Sequence, residues 1–98
     1  MSIRHLQQAS SGAAAGGVSA ASQYRNVSAE QSHSLASGTA EGCLEGIDRN
    51  PQTSVEQVLY VAVGTEEGCA SRIDLSGDVD IEAVQSAARG TAQGAVGI

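Results

Sequence analysis

Small and apolar residues recur along the chain in a three-four alternation, most plainly at Val55, Val58, Ala62, Thr65, Cys69 and Ile73. That spacing puts them on one stripe of an α-helix. The alternation breaks at Asp48-Arg49-Asn50-Pro51 and at Asp74-Leu75-Ser76-Gly77-Asp78, where Pro, Gly and Asn end a helix and start a turn. Ahead of the stripes stand Ser28 and Ser54, with Gln31 and Gln57 three residues further on. This is the spacing of a helix N-cap with its capping box. Ser2 and Asp80 occupy the same position relative to their own segments, and Glu30, Glu56 and Glu82 fall in the first turn, where the helix dipole favours acids. The pattern predicts helices of roughly 18–20 residues, about 28 Å long at 1.5 Å per residue.

The same unit is repeated. Gly12/Gly16, Gly38/Gly42, Gly64/Gly68 and Gly90/Gly94 are four GxxxG pairs spaced 26 residues apart, so the chain divides without gaps into copies 1–26, 27–52, 53–78 and 79–98 of one helical repeat domain, 1–98. The second and third copies share 11 of 26 columns, among them Ser28/Ser54, Gln31/Gln57, Cys43/Cys69 and Ile47/Ile73. The first copy is the most degenerate, as a terminal, capping copy is expected to be.

Each copy therefore reads as one helix and a turn. About six turn residues reach only ~20 Å, too short to run back along a helix, so successive helices are expected to be antiparallel. The predicted fold is all-α, with the helices packed as a bundle or as open hairpins completed by oligomerisation. Interior glycine is disfavoured by about 1 kcal/mol relative to Ala. The expected compensation is close approach of helix backbones along a Gly/Ala/Ser face, with dispersion and Cα–H···O contacts in place of bulky side chains. This makes Gly12, Gly16, Gly38, Gly42, Gly64, Gly68, Gly90 and Gly94 the candidate helix-packing or assembly face. An alternative unit has two short helices per copy, the glycine column ending one and Thr39, Thr65 and Thr91 capping the next. Cys43 and Cys69 would then stack in register, whereas an antiparallel bundle separates them along its axis. The run Val58-Leu59-Tyr60-Val61-Ala62-Val63 has strand propensity, but the register assigns it to the third helix, expected to be the most buried.

Composition narrows the function. The 98 residues include 12 Gly, 2 Tyr and no Phe or Trp, so the core must be thin and a chain at this border gains most cheaply from partners, including copies of itself. The net charge is −6, with five singly spread arginines, Arg4, Arg25, Arg49, Arg72 and Arg89, and no lysine. That pattern argues against nucleic acid, which needs clustered cations. No stretch approaches the ~18 apolar residues of a membrane span and the first residues lack a leader's apolar core, so a soluble cytoplasmic protein with reduced thiols is expected.

Candidate chemistry is sparse. The acids from Asp74 to Glu82 lack EF-hand spacing and read as an acidic turn before an N-cap. His33 lies in a polar column and reads as solvated, while Cys43 and Cys69 lie on the apolar stripe and read as core thiols. The glycine-rich segment 38–42 lacks the Lys-Ser/Thr of a P-loop. No catalytic, cofactor-binding or metal site is expected, and no enzyme.

The segments Gly38-Thr39-Ala40-Glu41-Gly42, Ile47-Asp48 and Thr91-Ala92-Gln93-Gly94, with the Ala/Ser/Gln-rich body, are similar to R-body structural proteins. The resemblance implies self-assembly into a coiled protein ribbon that extends at low pH, and it assigns no functional residue. The residues themselves suggest a non-enzymatic self-assembling structural protein, a homo-oligomer or filament subunit whose assembly responds to protonation of its carboxylates. The alternative is a helical module, an adaptor or regulator, that binds a partner protein.

Overall fold

The computed structural model describes residues 2–77 and 79–97, and its four α-helices are α1 (Ile3–Gln23), α2 (Ala29–Arg49), α3 (Val55–Ser76) and α4 (Ile81–Val96). Each copy holds one helix. No glycine pair ends a helix, so the unit of two short helices is not the one adopted, and the strand-prone run lies inside α3.

The helix starts follow the predicted column, though only half of them use the predicted bond. The Ser28 hydroxyl accepts from the Gln31 N–H at 3.0 Å, and the Ser28 N–H donates to the Gln31 side chain at 2.9 Å. Ser2 makes the same box with His5, whose Nδ1 receives the Ser2 N–H at 3.4 Å. At α3 and α4 the N-caps Ser54 and Asp80 make no side-chain capping bond, which corrects the expectation of a box at Ser54. The Ser54 hydroxyl donates instead to Glu56, at 2.9 Å. Gly77, at φ +83°, closes α3 in a conformation that glycine adopts without strain.

Two apolar clusters show how the helices run. One joins Ala9, Cys43, Ile47, Val58, Ala62, Ala92 and Val96. The other joins Ala20, Leu35, Ala70, Ile73, Val84 and Ala88, with Cys69 packed against it. Each cluster takes one end of the odd helices and the opposite end of the even ones, so successive helices are antiparallel and the two cysteines belong to opposite ends of the bundle.

The closest packing is between helices two apart, α1 on α3 and α2 on α4. Both pairs are parallel and keep one register. Gly12 faces Leu59 and Ala62, which lie 47 and 50 positions ahead of it, and Gly42 faces Arg89 and Ala92 at the same two separations. The molecule is thus two helical hairpins, α1–α2 and α3–α4, laid one on the other in parallel register within 37 × 21 × 16 Å. The most buried helix is α2, with nine buried residues against six in α3, which overturns the expectation for the third helix. The cause is position in the stack, since α4 covers the face of α2 whose counterpart on α3 stays open.

Candidate assembly face

The eight glycines of the repeat fall into two groups. A Cβ placed on Gly12 would lie 2.6 Å from the Ala62 Cβ, and one on Gly16 would lie 2.8 Å from the Glu66 carboxyl carbon. At Gly38 and Gly42 it would collide with the backbone carbonyl oxygens of Gln85 and Arg89. Gly12, Gly38 and Gly42 let α3 and α4 approach α1 and α2 to backbone contact, Gly16 makes room for the Glu66 side chain, and Gly46 extends the contact to Val96. Gly64, Gly68, Gly90 and Gly94 hold the same columns on the second hairpin, and a Cβ on any of them would meet nothing within 4 Å.

The second hairpin therefore keeps an uncovered face of the kind that the first hairpin buries. Between α3 and α4 this face sinks into an apolar groove of about 440 Å³, lined by Gly64, Gly68, Cys69, Val84 and Ala87, with Arg72 at its side. The large exposed apolar side chains lie mainly at the two ends of the stack. Tyr60 and Leu75, 74% and 77% exposed, are on α3, and Ile3 and Val18, 73% and 69% exposed, are on α1.

Polar ties repeat across the hairpin interface as well. The His5 Nε2–H donates to the Thr53 carbonyl at 2.7 Å, the tautomer in which Nδ1 receives Ser2, and the Gln31 amide donates to the Val79 carbonyl at 3.0 Å. His5 and Gln31 hold one column of the repeat, and both reach the carbonyl 48 positions ahead. Asn26 makes a parallel pair of bonds to Asp74, each 3.1 Å. On the solvent edge of the α2–α4 contact, Arg89 grips both Glu45 oxygens at 2.6 and 2.5 Å, and the Gln85 amide donates to Glu41 at 3.1 Å. The Arg89 hydrogen bond holds the Glu45 carboxyl below its ordinary range. The sequence pattern carried the signal for His5, because His stands where Gln31 and Gln57 stand, but the degeneracy of the first copy hid it.

Among the described residues, the remaining titratable groups gather into no reactive set. His33 is exposed, as its polar column suggested. Cys43 is fully buried, and desolvation, with the Glu66 charge adding to it, pushes its thiol up to about 11. The Cys69 thiol is raised by the same two causes. Both are disposed against forming the thiolate that nucleophilic or redox chemistry needs. Glu66 is fully buried under Gly16 and Gly17, neither carboxylate oxygen has a hydrogen-bond partner, and burial pushes its pKa up to about 8. Of the acidic turn, Asp74 lies within α3 and bonds Asn26, while Asp78 falls outside the described residues. Among the described residues no three His, Cys, Asp or Glu side chains are placed to hold a metal ion, and no helix is long and apolar enough to cross a membrane.

The chain matches no protein-family model, no curated protein and no solved structure.

Proposed function

We propose that this protein is a self-associating structural subunit, an oligomer or filament component without catalytic activity, and that its helices join through Gly/Ala/Ser faces. The observation that carries the reading is the uncovered glycine face of α3 and α4. The same columns on α1 and α2 are closely packed against α3 and α4, while a Cβ on Gly64, Gly68, Gly90 or Gly94 would meet nothing within 4 Å. Eight glycines inside helices disfavour folding by several kcal/mol relative to alanine, and close contact offsets this only at the four that are covered. A second copy would give the other four the same compensation. The high thiol pKa values, the solvated His33 and the lack of any convergent polar set in the groove support a surface for packing over one for chemistry.

Light scattering on a size-exclusion column, with circular dichroism of the same peak, tests this directly. A helical particle at a multiple of 9.8 kDa supports the reading. A helical monomer at every concentration overturns it and leaves the partner-binding adaptor as the reading to pursue.

A further inference from the structure

We infer that the open face of the α3–α4 hairpin takes the back of the α1–α2 hairpin of a second copy, in the parallel register of the internal interface, so that copies add head to tail. This rests on the self-association proposed above and specifies which two surfaces meet.

The contact continues an interface already formed within the chain. Within the chain, the glycine columns of one hairpin receive a fixed set of columns from the next: Leu59, Ala62 and Glu66 on α3, and Gln85, Arg89 and Ala92 on α4. In the first hairpin those columns hold Gln7, Ser10 and Ala14 on α1, and His33, Ser37 and Ala40 on α2. The α1 residues are exposed, and the helical spacing of 7, 10 and 14 sets them opposite Gly12 and Gly16, on the far side of the stack. Ala14 and Ser37 are smaller than the Glu66 and Arg89 they stand for, Ala40 matches Ala92, and Ser10 exceeds Ala62 by one hydroxyl. The side chains that would oppose Gly68 and Gly94 therefore fit where Glu66 already fits against Gly16 and where Arg89 and Ala92 already fit against Gly42.

Exposed apolar surface is placed on the same two faces. Ile3 and Val18 extend the back stripe of α1, at the 3, 7, 10, 14, 18 spacing, and Leu75 extends the front stripe of α3, at the 64, 68, 75 spacing. Stacking in the internal register covers Val18, whose column is buried at Ala70 and Val96, and Tyr60, whose column is buried at Ser34. Gln57, exposed at the start of α3, holds the column from which His5 and Gln31 tie one hairpin to the next. Because the two surfaces differ, the contact is heterologous and leaves each new copy with one open face, which builds rows where a two-fold contact would stop at a dimer.

Two variants and their mixture test this. Gly64→Arg blocks the front face, and Ala14→Arg blocks the back. Both sites are exposed, so each variant is expected to keep the helical circular dichroism of the wild type, and Gly64→Ala serves as a milder front block. Each variant alone should sediment as a monomer. Mixed in equal amounts they should form a one-to-one complex of twice the chain mass that does not grow, since each supplies the surface that the other retains. If the wild type assembles but the mixture stays monomeric, or if Ala14→Arg alone assembles like the wild type, the front-to-back contact is wrong while self-association stands. If the wild type is monomeric throughout, self-association itself has failed.

Discussion

In the column where the third copy places Glu66, the other three place Ala14, Ala40 and Ala92. Ala92 packs against Gly42 as Glu66 packs against Gly16, so the structure itself shows that alanine fits this position. Glu66 brings a carboxyl into a fully buried place with no hydrogen-bond partner, against Gly16 and Gly17 of α1. Its pKa in the folded protein is about 8, against an unfolded value near 4.3. The folded state therefore binds the extra proton between these values, and stability falls as pH rises from about 4.5 to 8. The ionisable neighbours whose titration Glu66 affects are the thiols of Cys43 and Cys69, which stay neutral throughout that window. Urea denaturation at pH 5 and pH 8 should show the wild type losing a few kcal/mol across the interval and Glu66→Ala losing much less. Glu66→Ala should also be the more stable protein at pH 8. Parallel pH profiles for the two proteins would contradict this account of Glu66. Nothing in the apolar stripe predicted the burial of Glu66, because position 66 is off the stripe that runs through Val58, Ala62, Thr65 and Cys69.

At the scale of the helix, the capping pattern separates residues that look alike in sequence. Ser28 closes a complete box and Ser54 makes no capping bond, so Ser28→Ala should cost about 1 kcal/mol while Ser54→Ala should leave the melting temperature nearly unchanged. Equal losses would mean that Ser54 caps in solution. The glycines divide in the same way. Gly38→Ala gains helix propensity but drives a methyl into the Gln85 carbonyl, and thermal melting should show a net loss. Gly64→Ala and Gly90→Ala meet open space, so at dilution each should gain up to about 1 kcal/mol of monomer stability. In concentrated solution the same two substitutions should weaken association, because they bring to the open face the clash that Gly12 and Gly38 avoid. The helix count, their starts and their single-helix units were legible from the N-cap column, the 26-residue period and the turn residues. The division of the glycines into covered and open was not. All four copies share the columns, and only the order of copies in a stack decides which pair lies at the end.

Across the whole molecule, turn length correctly implied antiparallel neighbours, but the pairing of α1 with α3 and α2 with α4 came from the structure. The periodic pattern assigns each helix a glycine face without naming what it meets, and a square bundle with neighbour contacts would satisfy the same turns. The fixed separations of 47 and 50 positions across both parallel pairs show instead a short stack that its own repeat could continue. Arg72 stands beside that open face, in the column where Ala20 and Gly46 pack closely. It is a bulky, charged barrier to another layer of the kind that limits edge-to-edge growth elsewhere. Arg72→Ala should lower the concentration at which larger particles form in sedimentation, and an unchanged onset would remove Arg72 from the interface. The central claim, that the second hairpin carries an unfilled packing face for another copy, is tested most directly by sedimentation velocity of the wild-type chain over a concentration series. The weight-average sedimentation coefficient should climb with concentration and not level off at the dimer. A single monomeric boundary at every concentration would contradict it.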